Sequence, residues 1–579
     1  MRRPPCPLVA LLLVAGCSRS APSPSGAAAS ASAPAASAAS ARASARPATD
    51  AAATLAFAAL RDRLLAQWLA DEPSWGRELG LHEHDGKVGD YSAAGLAQRV
   101  ARLQQARTDL AAVAAASLPE DDALDLAILQ RRCAHQLFSL TGLDEPHRVP
   151  RFYEELFSVN GYLDRDYAPL PDRVRRLVEH EKAALAQVAH VEANLAPVLS
   201  RPVLETSLQV FAGFSEYLRK DVVTRLRGAP LGELRADFEA TNERLAREAD
   251  RLVARWKKLL PQADQSHVLG EARYRQLLAA QEGLTTPLAD LEAMAEADLA
   301  RNRAAYEALD GQVKPTRPAA SALLATATRV MQDAARFVTE RQLVTLASDD
   351  LATVKESPPF MRWNAAFLDA SGPFDAARGA SYYITLPDPT WPRKEQEEYL
   401  PLYGTLVATT VHEVYPGHFV QGRWVDRAPT RVQKMSDSYS FTEGWAHYAE
   451  QMMIEEGFGA DDPQVRLGQL GDALLRNCRF VVSLGLHTRG MTLAQAEQRF
   501  AHDCHQDRAT ARQQAVRGTF DPGYFAYTLG KLQILALRDE AKQKLGARFS
   551  LRRFHDALLA HGSVPVALLH DRVLRELER

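Results

Sequence analysis

The sequence predicts a mainly α-helical protein, with a large multi-helical fold and a small β element. Apolar residues recur three or four positions apart through much of residues 55–350, as they do on the buried face of a helix. Residues 350–400 are instead rich in proline, and two short motifs with histidine and glutamate follow them. At 579 residues the chain is longer than one simple core supports, so we expect a large or lobed globular protein.

The N-terminus is typical of a bacterial lipoprotein signal peptide, which we assign to residues 1–17. Two arginines precede a short apolar run, and the small residues before Cys17 form a lipoprotein cleavage site. Cleavage would leave Cys17 as the lipidated first residue, anchored to a membrane of the cell envelope; in a Gram-negative cell we expect the outer membrane. The alternatives are a cleaved signal without lipid and a retained anchor, although the run is shorter than the ~20 residues that span a bilayer.

Residues 18–53 follow as a tether, and residues 54–579 form the folded domain. Alanine, serine, proline and glycine dominate the tether, so it buries too little apolar surface to fold and acts as a flexible spacer. The formal net charge of the whole chain is -3. Because there is no basic excess, we expect no nucleic-acid partner, and the sequence does not predict the oligomeric state.

Two helices and one strand can be placed from the sequence. The first helix has its apolar residues at helical spacing: Leu170, Val174, Leu177, Val178, Leu185, Val188, Val191 and Leu195. The second begins at Thr286 and Pro287, where a hydroxyl precedes a proline suited to the first helical turn. Residues 382–385 are aromatic and β-branched, which predicts a strand.

The folded domain contains Cys133, Cys478 and Cys504, so at most one disulfide can form, and its pairing is left open. Two further runs that contain histidine, residues 82–85 and 502–505, are rival metal sites. No other ligands lie near the first run, and the neighbours in the second cannot all face one point on a helix. We therefore expect a polar loop at the first run and a solvated helix end at the second.

The candidate metal centre begins with residues 411–418, Val-His-Glu-Val-Tyr-Pro-Gly-His. A catalytic zinc ion takes three protein ligands and keeps a fourth position for water, and neutral imidazoles with a carboxylate supply that set. His412 and His418 are therefore candidate ligands, and Glu413 is the candidate general base. The histidines are six residues apart, which leaves them ~120° apart around a regular helix. We predict that the Pro-Gly pair breaks a helix of residues 400–415 and returns His418 to the metal.

A second motif supplies the candidate third ligand, Glu443. His447 and Glu450 follow Glu443 at steps of four and seven, so the three residues lie on one face of a predicted helix. His447 could ligate or support the metal, and Glu450 could orient an imidazole. For Glu450, a solvated or salt-bridged acid is the alternative. The metal site is thus predicted to lie within residues 405–455.

Both motifs, HEVYPGH at 412–418 and TEGWAHYAE at 442–450, resemble the domain of unknown function 885 (DUF885) family, which is placed among the zincin-like metallopeptidases. The resemblance covers nearly the whole mature chain and includes three further segments: residues 80–85, 380–387 and 521–531. It implies a zincin-like, gluzincin-like fold, one zinc ion per chain and hydrolysis of peptide bonds. The sequence departs from the family pattern at His447, where we expect an apolar residue.

The same resemblance implies further site residues. Related peptidases align the substrate on a strand beside the zinc helix, so Tyr383 and its strand are expected there, with an ordinary internal strand as the alternative. They also donate a hydrogen bond to the transition state from a downstream tyrosine. Tyr527 is the first candidate for this donor, Tyr524 the second and His487 a weaker one. Core packing with a satisfied hydroxyl is the alternative for the tyrosines.

We expect a zinc-dependent hydrolase, a metallopeptidase that cleaves short peptides in the cell envelope. Glu413 would take a proton from the attacking water and pass it to the leaving amine. The rival functions are a zinc hydrolase that acts on a non-peptide amide or ester, and a non-catalytic binding lipoprotein that retains the fold. The sequence makes no prediction of exopeptidase or endopeptidase preference.

Overall fold

The structure is a computed structural model that describes residues 50–348, 351–357, 361–362, 364–375 and 379–579. The predicted signal peptide, Cys17 and most of the tether lie outside the described residues. Helices dominate the described part of the chain, as the sequence predicts, and its strands form one small sheet. No helix in that part is both long and apolar enough to cross a membrane.

The first part of the folded domain is entirely helical. Its helices are α1 (Ala51–Asp71), α2 (Pro73–Glu78), α3 (Ala93–Ala111), α4 (Glu120–Leu137), α5 (Glu145–Arg148), α6 (Gly161–Asp164), α7 (Leu170–Asn194), α8 (Arg201–Tyr217), α9 (Val223–Leu226), α10 (Leu234–Lys257), α11 (Gly270–Glu282), α12 (Leu288–Leu309) and α13 (Leu323–Glu340). The predicted amphipathic helix is confirmed as α7, which buries Val174, Leu177 and Val188. The second predicted helix is α12, whose N-cap is Pro287.

The second part begins with three strands, β1 (Thr353–Glu356), β2 (Ala366–Ala370) and β3 (Ala380–Ile384). The helices that follow are α14 (Arg393–Tyr399), α15 (Tyr403–Glu413), α16 (His418–Val425), α17 (Arg431–Lys434), α18 (Tyr439–Glu455), α19 (Pro463–Thr488), α20 (Leu493–Gln498), α21 (Arg508–Phe520), α22 (Ala526–Leu545), α23 (Leu551–Leu559) and α24 (Val566–Glu578). The helix predicted over residues 400–415 is shorter than expected, because α15 begins at Tyr403 and ends at Glu413.

The buried apolar residues of the described chain form three large cores. One core joins α1, α3 and α4 to the sheet and to α13, α15, α18 and α22–α24. A second core lies within α7, α8 and α10, and a third joins α11 and α12 to α19, α21 and the start of α22. The candidate metal centre lies between the first and third cores, because α15 and α18 belong to one and α19 to the other.

The sheet has the order β1-β3-β2, with β1 parallel and β2 antiparallel to β3. The strand predicted at residues 382–385 is therefore the central strand, shifted by two residues at its start. Tyr382 pairs with Val354 on one side and with Leu368 on the other. Since both edges of β3 are already paired, its backbone is not free to align a substrate, and that expectation is wrong. The strand next to the metal centre is the edge strand β2.

The disulfide links Cys478 of α19 to Cys504, and Cys133 is a buried free thiol. The run at residues 502–505 therefore uses its cysteine in a covalent bond, and Cys504 is fully buried rather than solvated. Residues 82–84 of the other run form a short 3₁₀ helix, and Asp85, its C-cap, is buried, whereas a polar loop with exposed residues was expected. His82 lies in this helix between two carboxylates, with Nε2 2.8 Å from Oδ1 of Asp375 and Nδ1 3.2 Å from Oδ2 of Asp85.

Candidate metal centre

A helix break brings the two motif histidines together. His412 lies in the last turn of α15, and His418 is the first residue of α16. Val414 leaves helical geometry at φ -122° and ψ -79°. At Gly417 a Cβ atom would lie 1.8 Å from the carbonyl oxygen of His412, so only glycine allows this reversal. Trp445 of α18 supports the connection by donating from Nε1 to the carbonyl oxygen of Pro416 at 2.9 Å.

The three predicted ligands converge in the structure. Oε2 of Glu443 lies 3.4 Å from Nε2 of His412 and 3.6 Å from Nε2 of His418. One ligand atom from each residue lies within 4.8 Å of the other two. Zinc bonds of ~2.0–2.1 Å in a tetrahedron separate the ligand atoms by ~3.3–3.4 Å. The two measured separations therefore fit a zinc ion.

The protonation of Glu443 also suits a cation. Oε2 is buried without a hydrogen bond of good geometry from the described residues. Burial alone would raise the pKa of Glu443, but His412 and His418 outweigh it and hold the pKa well below its usual range. An ionised, otherwise unsatisfied oxygen between two imidazoles is a donor set that suits zinc, so the residues fit the ion that the family resemblance implies.

Glu450 contacts the candidate ligand His412 at the ring nitrogen that faces away from Glu443. Its Oε1 lies 2.7 Å from Nδ1 of His412 and 3.0 Å from Nη2 of Arg476 in α19. Glu450 is 1% exposed, and burial would raise its pKa, but Arg476 and the two imidazoles lower it. The carboxylate therefore contacts the imidazole of His412, as the sequence analysis suggested, and it is also salt-bridged to Arg476 rather than solvated.

His447 does not join the three candidate ligands. Its Nδ1 lies 3.3 Å from Oε2 of Glu450, on the side of that carboxylate away from the bond to His412. Burial, helped by the charge of Lys531, lowers the pKa of His447 to about 3, so the ring is neutral. Lys531 in turn forms a buried ion pair with Asp298 at 2.8 Å. His447 thus belongs to a polar network behind the centre.

Glu413 lies on the open side of the centre. Its Oε2 accepts a hydrogen bond from the backbone N–H of Leu368 in β2 at 3.0 Å. Glu413, Leu368, His418 and Glu443 line one cavity of about 270 Å³, together with residues of α16. Because its carboxylate lines the same cavity as His418 and Glu443, Glu413 stays the candidate general base.

A second cavity of about 440 Å³ lies against the sheet. Leu368 lines both cavities, and Tyr383 lines the second, where its ring stacks on Phe367 with centroids 5.0 Å apart. The other lining residues come mainly from α2, from the 3₁₀ helix of residues 82–84 and from residues 154–167. Tyr383 therefore faces the space beside the centre without contacting its ligands.

Tyr527 is the predicted transition-state donor that the structure places nearest to the centre. It lies in the first turn of α22 and is 9% exposed. Burial and the negative charge of Glu443 raise its pKa, although Arg479 and Arg517 oppose them, so the hydroxyl keeps its proton. Its ring also lies close to Arg476, whose Cζ atom is 5.8 Å from the ring centroid, so Tyr527 stays the first candidate for the donor.

The other two predicted donors lie elsewhere. Tyr524 is fully buried, and a Cβ added at Gly518 would lie 2.3 Å from its hydroxyl oxygen, so this phenol packs on α21. His487 is also fully buried near the end of α19, with Nε2 2.8 Å from the carbonyl oxygen of Gly518. Tyr524 precedes α22, whereas Tyr527 lies in its first turn.

The sequence matches the family described as bacterial protein of unknown function (DUF885) over residues 73–573, most of the chain. The chain belongs to this family. Two solved structures are similar to this structure. One, described as a lipoprotein of unknown function from Shewanella oneidensis, has a TM-score of 0.75 and 22% identity, and the alignment covers 90% of this chain and 99% of that one. The other, described as a lipoprotein from Colwellia psychrerythraea, has a TM-score of 0.71 and 18% identity, with 91% and 99% covered. No curated protein matches the sequence.

Within this DUF885 protein, two groups at the centre carry no signal in the sequence. Arg476 contacts both Glu450 and His412, yet it lies 26 and 64 residues away from them. The backbone N–H of Leu368 reaches Glu413 across 45 residues. Neither has a motif of its own, and both contacts depend on tertiary packing, so the sequence contains no signal for them.

Proposed function

We propose that this DUF885 protein is a zinc-dependent peptidase that cleaves short peptides in the bacterial cell envelope. The observation that carries the proposal is the convergence of three ligand atoms, from His412, His418 and Glu443, with Glu413 in the same cavity. Two imidazoles and a carboxylate leave a fourth position open on a zinc ion, which distinguishes a catalytic site from a closed structural one.

His412, His418 and Glu443 would hold the ion. Zinc bound there supplies Lewis acidity, since it lowers the pKa of a water molecule and polarises a carbonyl group. Glu450 keeps the Nδ1 proton of His412 in a hydrogen bond, so that Nε2 presents its lone pair to the ion. Arg476 neutralises Glu450 and fixes its orientation.

Glu413 is assigned the proton transfers. Its carboxylate accepts a proton from the attacking water and then delivers that proton to the leaving nitrogen, which departs as a neutral amine. The hydrogen bond from Leu368 to Oε2 holds the side chain toward the cavity and leaves Oε1 for the water. Tyr527 donates its hydroxyl proton in a hydrogen bond to the oxygen that gains negative charge, a contribution of roughly 3 kcal/mol in other enzymes.

The edge of β2 favours a peptide over a non-peptide amide or ester. The N–H of Leu368 points to Glu413 and therefore away from β3. Because backbone direction alternates along a strand, the outward groups of β2 are also those of Ala366 and Ala370. An extended peptide that adds to this edge would run past Glu413, and its main chain would be recognised independently of side chains.

The predicted lipid on Cys17 places this activity in the envelope. Two similar structures are described as lipoproteins, which agrees with the signal peptide expected over residues 1–17. The tether between Cys17 and the folded domain would let the enzyme reach soluble peptides near the membrane surface.

The test uses full-length protein in detergent and compares wild type with Glu413→Gln. Zinc content is measured by mass spectrometry of the metal, and cleavage by mass spectrometry of a peptide library. We expect about one zinc per chain in both proteins and a loss of turnover of roughly 10²–10⁴-fold in the variant. Glu456→Gln, just after α18, is the matched control and should cleave as wild type does.

Two outcomes would reject the proposal. If neither protein binds zinc, the three residues are not a metal site, and a binding lipoprotein becomes the better interpretation. If both proteins bind zinc but the wild type cleaves no peptide, esters and non-peptide amides are the next substrates to test.

A further inference from the structure

Arg479 is a buried cation without a carboxylate partner. It is 8% exposed, and its Nε donates to Oε1 of Gln514 at 2.9 Å. Across the described residues, no carboxylate oxygen lies within 4.0 Å of its guanidinium group. The two Nη atoms make no hydrogen bond to those residues and are not sealed from solvent. Because an unpaired buried charge is costly, this arrangement indicates that an anion completes it.

The neighbouring arginines differ from Arg479 in this respect. Nη2 of Arg476 lies 3.0 Å from Oε1 of Glu450. Nη2 of Arg517 lies 2.9 Å from Oδ2 of Asp521 and also donates to the hydroxyl of Tyr439 at 2.8 Å. Both of these charges are therefore compensated within the protein, whereas the charge of Arg479 is not.

Arg479 lies beside the candidate metal centre. Its Cζ atom is 4.7 Å from the ring centroid of Tyr527, and Cζ of Arg476 is 5.8 Å from the same centroid. Arg476 precedes Arg479 by three residues in α19, a rise of about 4.5 Å, and its Nη2 lies 3.3 Å from Nδ1 of the ligand His412. The unpaired guanidinium group is thus about one helical turn beyond the residues that hold the ligand.

We propose that Arg479 binds a carboxylate group of the substrate, one or two residues from the bond that is cleaved. This inference rests on the proposed peptidase function and names a feature of its substrate. A residue in an extended peptide advances the chain by about 3.4 Å, so the rise of about 4.5 Å from Arg476 to Arg479 corresponds to one or two peptide residues.

The chemistry of the group favours a carboxylate. The planar guanidinium presents parallel N–H donors that match the two oxygens of a carboxylate, and with Nε held by Gln514 the Nη atoms remain for this contact. The ring of Tyr527 packs close to the guanidinium and keeps it in place. The carboxylate can be the C-terminus of a peptide or an aspartate or glutamate side chain.

The test measures binding rather than turnover. Full-length protein, freed of metal with a chelator, is titrated by calorimetry with N-acetyl-trialanine and with its C-terminal amide. A second pair of probes has a central glutamate or glutamine and an amidated C-terminus. The first pair reports a terminal carboxylate, and the second reports a side-chain carboxylate. Since metal-free protein is used, the result does not depend on zinc or on cleavage.

Arg479→Met removes the charge and keeps much of the side-chain length. We expect wild type to bind the acid of one pair about 10–100-fold more tightly than its neutral analogue. In Arg479→Met this difference in affinity should vanish. The neutral analogue should bind the variant and wild type equally well. Arg466→Met, on the same helix and hydrogen bonded to Gln469, is the matched control and should keep the difference. Arg479→Lys retains the positive charge but lacks the parallel N–H donors of a guanidinium group. It should therefore keep only part of the preference for the acid.

The proposal is overturned if wild type prefers neither acid, or if folded Arg479→Met keeps the preference. A variant that loses acid and neutral probes equally would show that Arg479 only supports the fold. If Arg479→Met does not unfold cooperatively, it is not folded. The proposal is then judged by the acid preference of wild type and by its partial loss in Arg479→Lys. Absence of zinc binding or cleavage in wild type would reject the peptidase function alone and leave the carboxylate site to be judged by these titrations.

Discussion

Glu450 Oε1 lies 2.7 Å from Nδ1 of His412, on the side of the imidazole opposite the atom that faces Glu443. The carboxylate is ionised because Arg476 and the neighbouring imidazoles lower its pKa against the effect of burial. With a zinc ion bound, His412 would therefore donate its Nδ1 proton to Glu450 and present the Nε2 lone pair to the ion. One hydrogen bond thus sets both the ring orientation and the tautomer of a candidate zinc ligand.

This contact predicts that Glu450→Gln weakens zinc binding without removing a ligand. An amide holds the Nδ1 proton less strongly than a carboxylate, and it removes the nearer of the two carboxylates that face the buried Arg476. We expect zinc affinity to fall about 10–100-fold, measured by competition with a chromophoric chelator. Glu456→Gln is the control and should bind zinc as wild type does. Equal affinity in Glu450→Gln would show that the hydrogen bond does not support the metal.

The residues of the centre differ in how far the sequence alone could predict them. His412, His418, Glu443 and Glu450 lie in short motifs whose helical spacing and Pro-Gly break are local properties, so their convergence could be predicted from the sequence. Arg476 could not, because its contacts depend on how α19 packs against α18. The general prediction of a mainly helical fold succeeded for the same local reason, since apolar spacing reports helices without tertiary information.

The strand beside the centre was misplaced for a physical reason. Residues 382–385 have the stronger β pattern because β3 is the buried central strand, whereas β2 is a partly exposed edge strand with a weaker pattern. Pairing order is decided by long-range contacts, which no single segment encodes. The strongest strand signal in a small sheet therefore marks the strand that is least available to a substrate.

The crossing of α18 and α22 predicts that Gly530→Ala destabilises the protein. A Cβ at Gly530 would lie 1.7 Å from the carbonyl oxygen of Ser440 and 2.9 Å from Cα of Gly444, so the two helices would have to separate. We expect a loss of roughly 1–3 kcal/mol in the free energy of unfolding, measured by urea denaturation. Because α18 carries Glu443, zinc affinity should fall as well.

The matched control for this substitution is Gly213→Ala, in the exposed part of α8. No atom lies within 4 Å of a Cβ added there, so alanine should stabilise the helix by about 0.4–1 kcal/mol. If both variants change the free energy of unfolding in the same direction, close packing of α18 on α22 is not the reason that residue 530 must be glycine.

The disulfide predicts a measurable contribution to stability. Cys478 and Cys504 are 26 residues apart, and closing a loop of that length lowers the entropy of the unfolded chain by an amount worth about 3.5 kcal/mol. We expect the double variant Cys478→Ala/Cys504→Ala to lower the free energy of unfolding by roughly 2–4 kcal/mol. Alkylation of unreduced, denatured protein followed by mass spectrometry should label Cys133 but neither partner. Labelling of all three would contradict the pairing.

His82 predicts a stability that declines at alkaline pH. Burial alone would lower its pKa, but hydrogen bonds to Asp375 and Asp85 raise it to about 9. The folded state thus holds the proton more tightly than the unfolded state, whose value is near 6.5. The resulting stabilisation is fully present below about pH 6.5 and is lost as pH rises through about 9. Since the side chain is 27% exposed, screening leaves an effect of roughly 1–2 kcal/mol.

The measurement is the difference in unfolding free energy between wild type and His82→Gln from pH 6 to pH 10. That difference should be largest at the acidic end and narrow by the stated amount as pH rises. His84→Gln is the control, because burial lowers the pKa of His84, and a histidine that is neutral in both states above pH 6.5 contributes no slope there. A constant difference for His82→Gln across the range would show that Asp375 and Asp85 do not hold a proton on His82.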